Sequence, residues 1–211
     1  MNELLTQLSG SVIRGEADLV PALIKSAIEQ GLGPKEILDG GLIAGMKTVG
    51  EQFKAHEIFL PDVLLASKAM ISGIELIKPL LIRDGVPAMG KVVIGTVQGD
   101  LHDIGKNLVG FMLRGAGFDV VDLGKDVPPE KFVETARKEN AQVIGMSALL
   151  TTTMLVMKKV VELARAENLP VKVIIGGAPI SYDYAREIGA NAYGYDATHA
   201  VERIKSLVAE K

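Results

Sequence analysis

Along residues 1–83 the apolar side chains recur at three- and four-residue spacing. Leu4, Leu5, Leu8 and Val12 form one stripe, Leu19, Leu23, Ile24, Ala27 and Ile28 a second, and Ile37, Leu38, Leu42, Met46 and Val49 a third. This is the period of amphipathic helices. Gly31-Leu32-Gly33-Pro34 stops one helix and starts the next, with proline in the first turn. Lys54-Ala55-His56-Glu57 is a polar break, and Leu60-Pro61-Asp62 opens a last long helix. Four helices with short connections predict an all-α, four-helix antiparallel bundle over residues 1–83. The Gly/Pro punctuation between Arg83 and Gly90 predicts a linker at residues 84–90.

Beyond the linker the pattern changes period. Val92–Val97, Val120–Leu123, Val143–Met146, Val171–Ile175 and Ala192-Tyr193 are short aliphatic runs. Helical segments alternate with them at Gly105–Gly115, Pro129–Glu139, Thr152–Glu167, Tyr182–Ile188 and Ala197–Ala209. Continuous apolar strands alternating with helices predict a buried parallel sheet wound on both faces. Residues 91–211 therefore read as an α/β, Rossmann-like (flavodoxin-like) domain with a five-stranded parallel sheet.

Composition narrows the chemistry. The 211 residues include no Cys, which excludes disulfides, thiolate zinc sites, iron–sulfur clusters and a Cys nucleophile. Only His56, His102 and His199 carry an imidazole, at spacings that match no short metal motif. Of these, His56 and His199 are expected to be solvated. With 23 Lys+Arg against 26 Asp+Glu the net charge is −3, so there is no basic footprint for nucleic acid. The most apolar helix-length stretch, residues 61–82, contains Asp62, Lys68, Glu75 and Lys78, which argues against a membrane span. Without the marks of a signal peptide at Met1-Asn2-Glu3, a cytoplasmic location is expected.

Ligands of wound parallel sheets bind at the carboxyl ends of the strands, where strand order reverses. Four loops lie there. The first, Gly99-Asp100-Leu101-His102-Asp103-Ile104-Gly105-Lys106-Asn107, sets an imidazole between carboxylates. It reads either as a surface histidine with acidic neighbours, or as a metal ligand held through one ring nitrogen by Asp100. Its spacing fits neither the dinucleotide fingerprint nor the phosphate-binding G-x-x-x-x-G-K-[ST] loop. The second loop, Ser147 to Thr153, holds four hydroxyls, for helix capping or for ligand contacts. The third, Gly176-Gly177-Ala178-Pro179, is either a sharp turn or a place of close approach, and Gly194–Thr198 is the fourth. One imidazole cannot hold a free zinc ion, but it can ligate a metal already held by a macrocycle.

Asp100-Leu101-His102-Asp103-Ile104-Gly105, followed by Ser147-Ala148-Leu149 and Gly176-Gly177, resembles the D-x-H-x-x-G…S-x-L…G-G signature of cobalamin-binding domains. Val49-Gly50-Glu51-Gln52-Phe53 and Phe59-Leu60-Pro61-Asp62-Val63 resemble the helical cap of methyl-transferring corrinoid proteins. Together the two resemblances cover nearly the whole chain. The chain thus resembles the corrinoid proteins of methanol, methylamine, betaine and O-demethylase methyltransferase systems, and the cobalamin module of methionine synthase.

That resemblance implies cobalamin or a related corrinoid bound base-off/His-on, with His102 as the lower cobalt ligand, Asp100 hydrogen-bonded to it and Thr153 extending the relay. It implies cofactor contacts from Asp103 and Ile104. It further implies a slot for the displaced nucleotide tail beside the first and fourth strands, lined by Gly105, Ser147, Leu149, Thr151, Gly176 and Gly177. Phe53, Leu60 and Val63 match cap residues over the methyl-bearing face and read equally as ordinary bundle core. The implied activity is that of a methyl carrier, not a complete enzyme. Cobalt cycles between Co(I) and methyl-Co(III), taking methyl from a substrate-specific methyltransferase and giving it to an acceptor methyltransferase that uses tetrahydrofolate or a thiol. A reductive activation protein would be a further partner. The competing expectations are the cobalamin-binding subunit of an adenosylcobalamin mutase, a B12-binding sensor or regulator, and a cofactor-free signalling domain with Asp100 and Asp103 as an acidic pocket.

Overall fold

A computed structural model describes residues 2–210. The chain divides into two compact units, one of the residues up to Ala88 together with Arg114–Gly117, the other of Met89–Leu113 and the residues from Phe118 on. Each has its own core.

The first unit is entirely helical: α1 (Glu3–Ile13), α2 (Val20–Glu29), α3 (Pro34–Ile37), a π-helical segment (Leu38–Ile43), α4 (Ala44–Lys54) and α5 (Leu60–Arg83). The caps follow the chain's chemistry. The Asn2 side chain accepts the Leu4 N–H at 2.9 Å at the head of α1, and the Asp62 carboxylate accepts the Phe59 N–H at 2.9 Å at the head of α5. α3, the π segment and α4 run on without a break, so the four helical stretches expected over residues 1–83 are present. The π turn was not expected. It lies where Gly40 and Gly41 let α1 come close: a Cβ on Gly41 would stand 2.4 Å from Leu8 Cδ2. Leu8, Val12, Ile24, Leu42, Val49, Met70 and Ile77 fill the core between these helices, all of them aliphatic or thioether.

The second unit alternates β1 (Lys91–Thr96), α6 (Ile104–Gly115), β2 (Asp119–Asp122), α7 (Pro129–Lys138), β3 (Val143–Ser147), α8 (Leu155–Ala166), β4 (Lys172–Gly176), α9 (Tyr182–Ile188), β5 (Ala192–Gly194) and α10 (Ala197–Ala209). The five strands pair in parallel in the order β2-β1-β3-β4-β5. Strand order therefore reverses between β1 and β3, which makes their carboxyl ends the expected ligand edge.

On one face Phe132, Met157 and Val160 pack on Val93, Ile144 and Ile175 in a hydrophobic core. The other face is different. Ile94, Gly145 and Ile174 are register neighbours on β1, β3 and β4. Between them and helices α6 and α10 lies a cavity of about 350 Å³.

Among the element boundaries, α8 departs most from expectation. It begins at Leu155, not Thr152, because residues 151–154 are spent in turns that carry Thr153 into a buried hydrogen bond.

Candidate functional site

The site is built on Asp100. This residue follows β1, is fully buried, and has both carboxylate oxygens occupied. Oδ1 accepts the backbone N–H of His102 at 3.0 Å and the His102 Nδ1 hydrogen at 2.7 Å. Oδ2 accepts the Leu149 N–H at 2.7 Å, the Leu150 N–H at 3.3 Å and the Thr153 hydroxyl at 2.8 Å. One side chain thus ties the loop after β1 to the loop after β3. Burial by itself raises the Asp100 pKa. The His102 and Leu149 N–H groups, the Thr153 hydroxyl and the imidazole outweigh it, and hold the carboxyl well below the usual carboxylate range.

The loop is fixed from other sides too. The Thr96 hydroxyl donates to the His102 carbonyl at 2.9 Å, and the Gly99 N–H donates to Asp126 at 2.7 Å. An ionised carboxylate only accepts. Nδ1 of His102 therefore carries the hydrogen, and in the neutral imidazole the Nε2 lone pair is then free. The His102 side chain is 53% exposed, so that lone pair faces out of a rigid base. This is the arrangement in which a carboxylate orients a metal-ligating histidine.

Around the imidazole the surface is unusually greasy. Leu101, Ile104, Leu149, Leu150 and Leu155 are all exposed. Among the described residues no group of three or more His, Cys, Asp and Glu could hold a metal ion. A metal at Nε2 must therefore bring most of its ligands with it, and a large ligand with an apolar rim would cover those leucines.

The cavity beneath completes the arrangement. Gly105, Ser147, Gly176 and Gly177 line it. A Cβ on Gly177, whose φ is 127°, would sit 1.8 Å from the Ala148 carbonyl oxygen, so the fold itself demands glycine there. Gly105 is the opposite case. A Cβ would meet nothing within 4 Å, and the room it leaves belongs to the cavity.

Comparison with known proteins supplies the family. A family model described as "B12 binding domain" matches residues 90–205, and a second model of the same description matches residues 4–78. Dimethylamine corrinoid protein 1 of Methanosarcina acetivorans is 46% identical over 210 residues, which is 98% of each chain. The chain belongs to the B12-binding, methyltransferase corrinoid protein family. Trimethylamine corrinoid protein 1 of the same organism is 40% identical over 210 residues, 98% of this chain and 97% of its own. Among solved structures, a methanol:cobalamin methyltransferase complex from Methanosarcina barkeri superposes with a TM-score of 0.91 at 33% identity, covering 100% of this chain and 81% of that one. A cobalamin-binding protein from Desulfitobacterium hafniense gives 0.74 at 30% identity over 96% of this chain and 98% of that one.

The residues present fit a corrinoid. The exposed imidazole offers one metal-ligating nitrogen, the exposed leucines suit a macrocycle, and the side-chain-free space at Gly105 opens into a cavity of about 350 Å³ with room for an appendage. The expected site residues do not all meet at this slot. Leu149 and Thr151 lie outside its lining; Leu149 acts through its backbone N–H on Asp100. Asp103 is half-buried and Ile104 exposed, both beside His102 in the loop. In the helical unit Val63 is fully buried in the bundle core, whereas Phe53 and Leu60 are half-buried.

His199, expected to be solvated, is half-buried. It stacks on Tyr195 with ring centroids 4.1 Å apart, and its Nδ1 is buried. His56 is exposed, with a positive φ of 58° that closes the turn after α4.

Gly145, Tyr195 and Lys106 are among the lining residues that sequence reasoning missed. Gly145 sits mid-strand in what reads as an aliphatic run. Tyr195 lines the slot from the loop after β5. Lys106 is buried, its ammonium 2.6 Å from both Asp122 oxygens. Its place directly after Gly105, in the first turn of α6, was the available signal.

No helix among the described residues is long and apolar enough to cross a membrane.

Proposed function

We propose that this chain is a corrinoid methyl carrier of a methylamine-type methyltransferase system. The observation that carries the reading is the saturated Asp100 carboxylate holding an exposed His102, in the same loop as Gly105, where the cavity is open. When bound, a corrinoid supplies a cobalt centre that takes up and gives away a methyl group. His102 would hold the cobalt through Nε2, in the base-off/His-on manner. Asp100 keeps the imidazole in one tautomer and one orientation. Thr153 holds the second carboxylate oxygen, which keeps the negative charge on Asp100 beside the imidazole. Gly105, Ser147, Gly176 and Gly177 admit the nucleotide tail.

In the same reading residues 1–83 are the cap, 84–90 the linker that lets it move, and 91–211 the cobalamin-binding domain. Phe53 and Leu60 serve as shielding side chains, and Val63 supports them from the core. The partners are a substrate-specific methyltransferase, an acceptor methyltransferase using tetrahydrofolate or a thiol, and a reductive activation protein. The methylamine assignment rests on relatives named dimethylamine and trimethylamine corrinoid proteins.

The test is direct. The apoprotein is mixed with hydroxocobalamin, desalted, and its visible spectrum recorded. Corrin absorbance travelling with the protein, with a histidine-ligated base-off spectrum lost in His102→Ala, is the expected result. A protein that emerges colourless overturns the cofactor reading. A His102→Ala spectrum identical to wild type removes His102 from the metal. Methylation of the reduced holoprotein by dimethylamine in the presence of a dimethylamine methyltransferase tests the donor.

A further inference from the structure

The slot is one-sided in its chemistry. Its floor is Ile94, Gly145 and Ile174, side by side across three strands. Gly145 deepens it: a Cβ there would enter the space between Ile94 Cγ2 at 3.3 Å and Ile174 Cγ2 at 3.7 Å, with no backbone atom nearer than 3.9 Å. Its roof is aliphatic as well, with Leu108 and Val109 from α6 and Ile204 from α10.

The polar side chains on the lining are few, and most are committed. Lys106 is locked to Asp122. Asp196 caps α10 by accepting the His199 N–H at 2.7 Å. Tyr195 is exposed and stacked on His199. Asp196 Oδ2 and the Tyr195 hydroxyl stay open, both on solvent-exposed residues, and at the floor itself the uncommitted polar side chain is Ser147. A base that enters can have one ring heteroatom answered there and must lay the rest of its edge against methyl and methylene groups.

We infer that the slot selects the corrinoid by its lower base, admitting an apolar aromatic base such as a dimethylbenzimidazole and rejecting a purine. The inference rests on the proposed corrinoid function and goes beyond it to the class of corrinoid. The two bases are of similar size, so volume does not separate them. Polarity does. Adenine carries an exocyclic amine and additional ring nitrogens, and each would leave water for aliphatic walls without a partner. A site that leaves polar groups unpaired discriminates strongly.

The experiment is a competition on the whole apoprotein. Equimolar cobalamin and the adenine-bearing cobamide are offered together in excess, the protein is desalted, and the released corrinoids are separated and quantified. The expected result is at least about tenfold enrichment of the dimethylbenzimidazole form in the bound fraction. Dimethylbenzimidazole holds its own cobalt more firmly than adenine does, so the cost of displacing it runs against this outcome. Equal retention of both overturns the selectivity while leaving the cofactor reading intact. Retention of neither overturns both. Val109→Asn, which adds an amide to the roof at a half-buried position, should bring the ratio toward one with the far-ultraviolet spectrum unchanged. An unaltered ratio in that variant removes the slot as the source of the preference.

Discussion

Asp100 does two jobs that are usually separate. It orients the imidazole, and it satisfies the backbone N–H groups of His102, Leu149 and Leu150 on two loops. Removing it leaves these donors buried or strained, each costing about 1–3 kcal/mol when unpaired. Asp100→Ala should therefore destabilise the apoprotein by about 3 kcal/mol or more. Urea unfolding measures this, and a loss below about 0.5 kcal/mol, the level of an ordinary surface change, would show that the carboxylate is not a structural tie. Thr153 offers a finer cut. Its hydroxyl donates to a charged acceptor, so Thr153→Val should cost about 2 kcal/mol while Thr153→Ser stays near wild type. Equal stabilities of the Val and Ser variants would remove the hydroxyl from the network.

Glycines at the ends of elements carry two distinct meanings. Gly177, between β4 and α9, is set by the protein's own backbone, and Gly177→Ala should destabilise by at least about 2 kcal/mol from strain alone. Gly105, in the first turn of α6, has open space and an ordinary φ. Gly105→Ala should leave the thermal midpoint unchanged or raise it, yet weaken corrinoid retention. A Gly105→Ala protein that retains corrinoid as well as wild type would disconnect that space from the ligand. Both glycines look alike in the sequence, which is why the loops could be selected but their residues not sorted. The D-x-H-x-x-G spacing made Asp100 and His102 legible, because both lie in one short loop. The helix and strand runs were legible from their periods, and α9 and α10 fall on their expected bounds. Gly145 was hidden because an aliphatic strand in a two-faced sheet does not say which face is filled. The head of α8 was hidden because capping and ligand-loop roles draw on the same hydroxyl residues. The π turn was hidden because one added residue in a turn barely disturbs a spacing of three and four.

At the scale of the whole chain, two cores stand on a connection that is almost wholly exposed. α5 ends at Arg83, and β1 begins at Lys91. The Arg83 side chain is held by Asp84 at 2.7 Å, yet both are open to solvent. Limited trypsin treatment should cut first after Arg83 and release two protease-resistant pieces, with bound corrinoid remaining on the piece that begins at Asp84. A first cut inside either core, seen by mass spectrometry, would contradict this division. The slot beside His102 has one further consequence. A ligand gripped in two places does not leave when one grip opens. A corrinoid whose nucleotide tail lodged between α6 and α10 would be held at two points, so that His102 Nε2 would keep it at a high effective concentration. Cobinamide, which has no nucleotide tail, should then dissociate far faster than cobalamin even though the two offer His102 the same metal.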